Sequence, residues 1–221
     1  MIFCLLTSGF WGINPSVKIQ TAEFVTSVGL DSRLPVAHLP QIAFVGRSNV
    51  GKSTLINALA HRKIARAGGA PGTTRLLNVY RLELAKHRGE FLLIDLPGYG
   101  YARGGEAANH GFDRLTRRYF QPDAPETPDR PGRTAPAGAI LLVDARHPGL
   151  ASDCDAVAWL TDLGLPMVVA ATKVDRMKAS ARRAALEAHE LALGRTVLPI
   201  SAKLGDGLPA FWTALLSLAG L

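Results

Sequence analysis

Eight consecutive residues match the phosphate-binding loop G-x-x-x-x-G-K-[ST], in which glycines let backbone N–H groups turn inward around phosphate oxygens. These residues are Gly46, Arg47, Ser48, Asn49, Val50, Gly51, Lys52 and Ser53. They follow an apolar stretch and open a helical pattern, so the phosphates would meet the positive end of a helix. Lys52 would place its charge on the β- and γ-phosphates, and the Ser53 hydroxyl suits Mg²⁺, which prefers oxygen ligands. The match predicts a nucleoside triphosphate site.

A second segment could serve the metal ion and the terminal phosphate. Asp95, Leu96, Pro97 and Gly98 directly follow the apolar run Phe91–Ile94. A carboxylate at that point can hold the Mg²⁺ shell through water, and the Gly98 N–H can face the γ-phosphate. Upstream, the run 71–75 contains Thr73 and Thr74, and a threonine in such a loop can coordinate Mg²⁺ when the γ-phosphate is present. The spacing does not separate the two threonines.

A third segment selects the base. Thr172, Lys173, Val174 and Asp175 follow the apolar run 167–171. An Asp carboxylate accepts hydrogen bonds from N1 and N2 of guanine, a donor pair that adenine lacks, so Asp175 predicts a preference for GTP over ATP. The usual motif begins with Asn; Thr172 can still make a hydroxyl hydrogen bond to the loop. The tripeptide Ser201-Ala202-Lys203 follows the run Val197–Ile200, and backbone N–H groups there can reach the guanine O6. We expect Ile200, Ser201 and Ala202 to contact the nucleotide.

The elements that must position these motifs alternate along the chain. Buried strands are predicted at Ile42–Val45, Phe91–Ile94, Ile140–Val143, Met167–Ala171 and Val197–Ile200, with an edge strand at Leu77–Leu84. Helices are predicted at Lys52–Ala60, Phe112–Phe120, Asp153–Leu163, Lys178–Leu193 and Leu208–Leu218. This order predicts an α/β fold, a doubly wound, mostly parallel six-stranded sheet in a three-layer sandwich. The motifs follow the predicted strands, where such folds bind ligands.

The bulk composition fits one domain. The chain has 221 residues, a formal net charge of +7 and two cysteines, Cys4 and Cys154, far apart in sequence. We expect a poorly ordered tail over 1–20, a single nucleotide-binding domain over 21–221, and a proline-rich loop at about 121–138. The cysteines indicate neither a zinc site nor a disulfide framework, and no apolar run reaches membrane length. The positive charge favours a partner that carries phosphates.

The order of the motifs resembles the TRAFAC class of P-loop GTPases, and more narrowly the EngB family of bacterial ribosome-assembly GTP-binding proteins. Besides the phosphate loop and the base motif, the residues that carry this resemblance are the runs Pro71-Gly72-Thr73-Thr74-Arg75, Asp95-Leu96-Pro97-Gly98-Tyr99-Gly100-Tyr101-Ala102 and Asp144-Ala145-Arg146-His147-Pro148. The likeness runs from about Thr21 to the C-terminus. The chain departs from the family at Thr73, where Lys or Arg is usual, and in the insert at 121–138.

The resemblance implies GTP hydrolysis with Mg²⁺ bound directly by Ser53 and Thr74 and through water by Asp95. It places further nucleotide contacts on Gly72, Thr73, Thr74, Arg75 and Leu76, and we assign catalytic roles to Lys52, Thr74 and Gly98. It also implies a cytoplasmic GTP/GDP switch in assembly of the large ribosomal subunit, touching rRNA and ribosomal proteins, with a link to cell division and septation. We expect a monomer without a membrane anchor.

Several interpretations remain open from the sequence. Related GTPases with Asn at the position of Asn49 use K⁺ beside the phosphates; the alternative is that Asn49 only shapes the loop by a local hydrogen bond. Tyr99 stands where many GTPases carry a water-orienting glutamine, which predicts slow hydrolysis. Basic residues near the predicted switches either bind RNA or form solvated faces: Arg62, Lys63, Arg66, Arg114, Arg117 and Arg118. A membrane-coupled regulatory GTPase and a P-loop small-molecule kinase are the competing function classes.

Overall fold

A computed structural model of the chain describes residues 17–29, 38–66, 76–99, 115–120 and 136–221. Within these ranges the strands form one sheet of seven in the order β1-β3-β4-β2-β5-β6-β7. The strands are β1 (Ile19–Val28), β2 (Gln41–Gly46), β3 (Leu77–Leu84), β4 (Glu90–Asp95), β5 (Gly138–Asp144), β6 (Met167–Thr172) and β7 (Val197–Pro199). β4, β2, β5, β6 and β7 run parallel to one another, whereas β1 and β3 pair antiparallel. The mostly parallel α/β fold predicted from the sequence is therefore confirmed.

Helices cover both faces of the sheet. They are α1 (Lys52–Ala60), a segment whose described part is 115–120 (α2), α3 (Ala151–Asp162), α4 (Ala179–Leu193) and α5 (Leu208–Ala219). Side chains of β2 alternate between the two faces, because successive residues of a strand point to opposite sides. Ile42 and Phe44 pack in the core shared with α1 and α5, whereas Ala43 and Val45 pack in the core shared with α2, α3 and α4. No described helix is both long and apolar enough to cross a membrane.

The sheet has one strand more than the sequence predicted. β1 lies at the sheet edge, with Ala22 and Val28 as its buried residues and Phe24 and Val25 about half exposed. This mixed exposure leaves no continuous apolar run or clean alternation, so the segment carries little strand signal. β1 begins at Ile19, inside the predicted tail of residues 1–20, and Val17 is also buried. Residues 1–16 lie outside the described ranges.

The prediction that Leu77–Leu84 is an edge strand is wrong, because β3 lies between β1 and β4. Its alternation comes from polar side chains that pair across the sheet. Arg81 contacts the carboxylates of Glu23 and Glu90, and Ser27 donates a 2.6 Å hydrogen bond to Asn78. Because Asn78 and Arg81 are three residues apart, polar side chains lie on both faces of this interior strand, among buried apolar ones. Of the predicted proline-rich loop, 121–135 lies outside the described residues, and Gly138 already belongs to β5.

Candidate nucleotide-binding site

The phosphate-loop residues connect the end of β2 to the start of α1. A Cβ on Gly46 would lie 2.7 Å from the Leu142 carbonyl oxygen, and Gly51 has φ 117°, so both positions favour glycine. The Lys52 side chain turns back over the loop, and its Nζ donates a 3.1 Å hydrogen bond to the Gly46 carbonyl. Burial lowers the pKa of Lys52, while the charge of Asp95 opposes that effect. The loop therefore holds a buried amine on its inner side.

Asp95 ends β4, the parallel neighbour of β2, and its side chain is buried. Its Oδ1 has no hydrogen-bond partner among the described residues. Burial raises the pKa of Asp95 to about 6, with the charge of Lys52 acting in the opposite direction. A buried carboxylate oxygen without a partner is costly, and a divalent cation with its water shell would satisfy it. With Ser53 in the first turn of α1, these residues fit Mg²⁺.

The segment from Asp95 to Tyr99 lies against the phosphate loop. The Ser48 N–H donates a 3.2 Å hydrogen bond to the Tyr99 carbonyl, and the Ser48 hydroxyl lies 3.4 Å from the Gly98 carbonyl. A Cβ on Gly98 would lie 2.6 Å from the Ser48 nitrogen, so a larger residue would displace one of the two backbones. Leu96 and Pro97 are buried beside them. The structure thus joins two predicted motifs that are far apart in sequence.

The base motif is also hydrogen-bonded to the phosphate loop. The Thr172 hydroxyl donates to the Val50 carbonyl at 2.7 Å, which is the bond to the loop expected for threonine at this position. The Lys173 Nζ donates to the Asn49 carbonyl at 2.6 Å. Lys173 has φ 64°, a left-handed conformation that is uncommon for a residue with a side chain. Two consecutive side chains therefore connect the end of β6 to the loop that would hold the phosphates.

Ser201 holds the carboxylate that was predicted to select guanine. Its hydroxyl donates a 2.7 Å hydrogen bond to Oδ1 of Asp175, and it accepts one of 3.1 Å from the Leu204 N–H. Val174 is buried, and its N–H lies 3.4 Å from the Ile200 carbonyl. Ala202 is half-buried beside them. The ends of β6 and β7 therefore bring the two predicted base segments together, with Asp175 oriented by a neutral donor.

Not every predicted site residue can be placed. Gly72, Thr73, Thr74 and Arg75 lie outside the described ranges, and Leu76 is exposed just before β3. Of the basic residues, Arg62, Lys63, Arg66 and Arg117 are exposed, Arg118 is half-buried, and Arg114 lies outside the described ranges.

Three residues at the site received no role from the sequence: Asp144, Arg146 and Asp153. Asp144 ends β5 and pairs with both Arg146 and Lys173. Asp153, in the first turn of α3, accepts a hydrogen bond from Tyr99. The position of Asp144 at a strand end, as for Asp95, was a usable signal for it.

Comparison with known proteins agrees with this geometry. The family model described as "50S ribosome-binding GTPase" matches residues 41–173, which contain the phosphate loop and the first two residues of the base motif. The "Probable GTP-binding protein EngB" of Pelotomaculum thermopropionicum is 39% identical over 188 residues, covering 85% of each chain. The protein of the same name from Anaeromyxobacter sp. strain K is 38% identical over 211 residues, covering 92% of this chain and 93% of its own.

Solved structures show the same fold. The crystal structure of a probable GTP-binding protein EngB superposes with a TM-score of 0.58 at 22% identity, covering 81% of this chain and 98% of that one. The cytosolic domain of the T. maritima FeoB iron transporter superposes with a TM-score of 0.54 at 21% identity, covering 85% and 66%. The extent and identity of the sequence matches decide the assignment: the chain belongs to the EngB family of GTP-binding proteins and is a GTPase.

Proposed function

We propose that this GTPase acts as a guanine-nucleotide switch in the assembly of the large ribosomal subunit. The observation that carries the proposal is the match of residues 41–173 to a family described as ribosome-binding GTPases. The net charge of +7 supports it, because a basic protein is attracted to the phosphates of RNA. The proposal includes a cytoplasmic monomer without a membrane anchor and a link of this GTPase to cell division and septation.

Within the site, each motif takes a separate part of the nucleotide. The phosphate-loop N–H groups and Lys52 would bind the β- and γ-phosphates, and the Gly98 N–H would meet the γ-phosphate. Ser53 and Thr74 would hold Mg²⁺ directly and Asp95 through water; the ion would neutralise charge that develops between the phosphates. The Asp175 carboxylate would accept hydrogen bonds from the N1 and N2 groups of guanine. Two observations support these roles: the Asp95 Oδ1 has no hydrogen-bond partner within the described part of the chain, and Ser201 donates a hydrogen bond to Asp175.

Intrinsic hydrolysis should be slow. The residue after Gly98 is Tyr99, whose hydroxyl donates a 2.9 Å hydrogen bond to Asp153 and is therefore already engaged. A GTPase that lacks a group to orient the attacking water depends on other means of stabilising the transition state. We propose that K⁺, coordinated in part by Asn49, serves this purpose.

Co-sedimentation with purified ribosomal subunits tests the partner. We expect the form bound to a non-hydrolysable GTP analogue to sediment with large subunits or their precursors, and the GDP and nucleotide-free forms to remain largely in the supernatant. Affinity should fall roughly linearly with the logarithm of salt concentration, because each neutralised phosphate releases counterions. Binding that is independent of the nucleotide would argue against a switch. Nucleotide-dependent binding that stays constant with salt would indicate a protein surface rather than rRNA.

Two double variants test whether ribosome binding depends on the basic residues after α1 or on the total positive charge of the protein. Arg62→Gln with Lys63→Gln removes two exposed charges after α1, and Lys178→Gln with Arg183→Gln removes two exposed charges from the region of α4. The first pair should weaken ribosome binding and reduce the salt slope by about one for each phosphate that the protein no longer neutralises. The second pair should leave both unchanged. Equal weakening by the two pairs would mean that total charge, not the α1 end, attracts the RNA.

A further inference from the structure

Asp144 is a buried carboxylate beneath the base motif. It is the last residue of β5, and its side chain is 10% exposed. It accepts two hydrogen bonds from Arg146, Nε to Oδ1 at 2.8 Å and Nη2 to Oδ2 at 2.7 Å, in a two-pronged arrangement. It also accepts one from the Lys173 Nζ at 2.9 Å. A single carboxylate therefore joins the end of β5 to the base motif.

Lys173 is held from two sides. Its Nζ donates to Asp144 and, at 2.6 Å, to the Asn49 carbonyl in the phosphate loop. The side chain consequently spans the gap between the two segments that take the base and the phosphates. Its 21% exposure leaves little freedom for the ammonium group. If Asp144 lost its charge, this ammonium group would keep the Asn49 backbone carbonyl but lose its charged partner.

The surroundings keep Asp144 ionised. Burial alone would raise the pKa of Asp144, but the hydrogen bonds from Arg146 and Lys173 outweigh it and hold the pKa well below its usual range. The Asp144 carbonyl oxygen also lies 3.2 Å from Nε2 of His189 on α4, so its backbone is fixed as well. A charged, immobile carboxylate is suited to fix a neighbouring lysine.

We infer that Asp144 is a positioning residue that fixes the Lys173 side chain where it connects the base motif to the phosphate loop. We further infer that this fixed connection sets the lifetime of the bound guanine nucleotide. The inference rests on the proposed placement of guanine at Asp175 and Lys173. Asp144 would act on the two segments that close around the nucleotide, and not on the γ-phosphate. Its loss should therefore speed nucleotide release and leave hydrolysis of bound GTP unchanged.

The test measures release of fluorescently labelled GDP, single-turnover hydrolysis of bound GTP, and the melting temperature of the nucleotide-free protein. Asp144→Asn should release GDP about tenfold faster, the effect expected on removal of one charge-assisted hydrogen bond, with an unchanged single-turnover rate. Arg183→Gln, which breaks the exposed Arg183–Glu187 pair on α4, is the matched control and should change neither rate. Unchanged GDP release in Asp144→Asn would overturn the inference.

A double-mutant cycle with Lys173→Met tests whether Asp144 acts through Lys173. We expect Asp144→Asn to have no further effect on GDP release in the Lys173→Met protein; an equal acceleration in both backgrounds would overturn the inference. Should the Asn variant not fold, Asp144→Glu keeps the charge and moves it, and any effect on release must again vanish with Lys173→Met. Asp175→Asn separates this inference from the proposed function: normal guanine binding in that variant would overturn the base-site proposal itself.

Discussion

The hydroxyl of Tyr99 donates a 2.9 Å hydrogen bond to Oδ1 of Asp153, and thereby joins the segment after β4 to the first turn of α3. Burial and the charge of Asp153 both raise the pKa of Tyr99, so the phenol remains a donor at neutral pH. The other oxygen of Asp153 is buried without a partner among the described residues. The backbone of Tyr99 meanwhile contacts Ser48. Tyr99 is therefore an anchor between α3 and the phosphate loop.

Tyr99→Phe should lower stability without slowing the reaction. Removing the hydroxyl leaves the buried Asp153 carboxylate without its donor, which should cost about 1–3 kcal/mol of unfolding free energy. Because the phenol is engaged by Asp153, we expect the single-turnover rate of GTP hydrolysis to be unchanged. Urea unfolding of the nucleotide-free protein and a rapid-quench assay measure the two quantities.

Asp153→Asn is the informative comparison. It keeps an acceptor for Tyr99 and removes the buried charge, so its unfolding free energy should lie close to that of the wild type. A Tyr99→Phe protein that is as stable as the wild type but hydrolyses GTP much more slowly would show that the phenol acts on the reaction and not on the fold.

Much of the fold could be predicted because most strands are buried on both faces. Such strands appear as short apolar runs, and the chemistry-bearing residues follow directly after them, as Asp95 follows Phe91–Ile94 and Thr172 follows Met167–Ala171. The edge strand β1 could not be predicted in this way, because much of it is exposed. For β3, polar pairs such as Arg81 with Glu90 mimic the alternation of an edge strand.

The contacts between motifs could not be predicted from local patterns. Lys173 reaches both Asn49 and Asp144, partners that are distant in sequence. Tyr99 meets Asp153 because β4 ends opposite the start of α3, which no property of either residue reveals. Ser201 orients Asp175, although the tripeptide around Ser201 is nearly uninformative by itself. Local patterns therefore identify candidates for the site, and the packing of strand ends decides which of them cooperate.

Asp175→Asn should weaken GTP and GDP binding. The variant loses the paired acceptor for guanine N1 and N2 and sets its own amide donor against them, which should cost roughly 2–4 kcal/mol of binding free energy. Xanthine nucleotides should gain relative to guanine nucleotides. Ser201→Ala removes the 2.7 Å hydrogen bond to Asp175 and should lower the affinity for GTP and GDP by about tenfold or less. Competition binding measures all of these affinities, and wild-type values for Asp175→Asn would show that the base lies elsewhere.

Because of the ion pairs of Asp144, the free energy of unfolding should fall at acid pH. The folded-state pKa of Asp144 is depressed below the unfolded value, so its contribution is present above about pH 4 and is lost as pH falls toward the folded pKa. Near pH 7 Asp144→Asn should be less stable than the wild type by about 1–2 kcal/mol, after allowance for solvent screening. The difference should shrink steadily below about pH 4. Denaturant titrations of both proteins between neutral and acid pH provide the measurement; a constant difference would argue against the ion pairs as its source.

Asn49 offers the sharpest separation of a chemical role from a structural one. Its φ is 62°, a left-handed conformation that asparagine tolerates better than most residues, and its carbonyl accepts the hydrogen bond from Lys173. Asn49 could therefore be present for the backbone conformation alone. Glycine adopts the same conformation without strain and keeps the carbonyl, but lacks the side-chain oxygen that would coordinate K⁺. Asn49→Gly thus removes the proposed ligand and leaves the loop able to form.

We expect wild-type protein to hydrolyse bound GTP faster in KCl than in NaCl at equal ionic strength, because a cation beside the phosphates offsets the charge that builds between them. Asn49→Gly should bind GDP about as well as the wild type and lose the advantage of K⁺, and Asn49→Ala should lose it as well while also straining the loop. Single-turnover assays of the three proteins in both salts provide the comparison. Equal wild-type rates in the two salts would exclude the cation. If hydrolysis by Asn49→Gly were still faster in KCl than in NaCl, K⁺ would have to be coordinated by another residue. Asn49 would then be explained by its left-handed backbone conformation alone, which glycine also adopts.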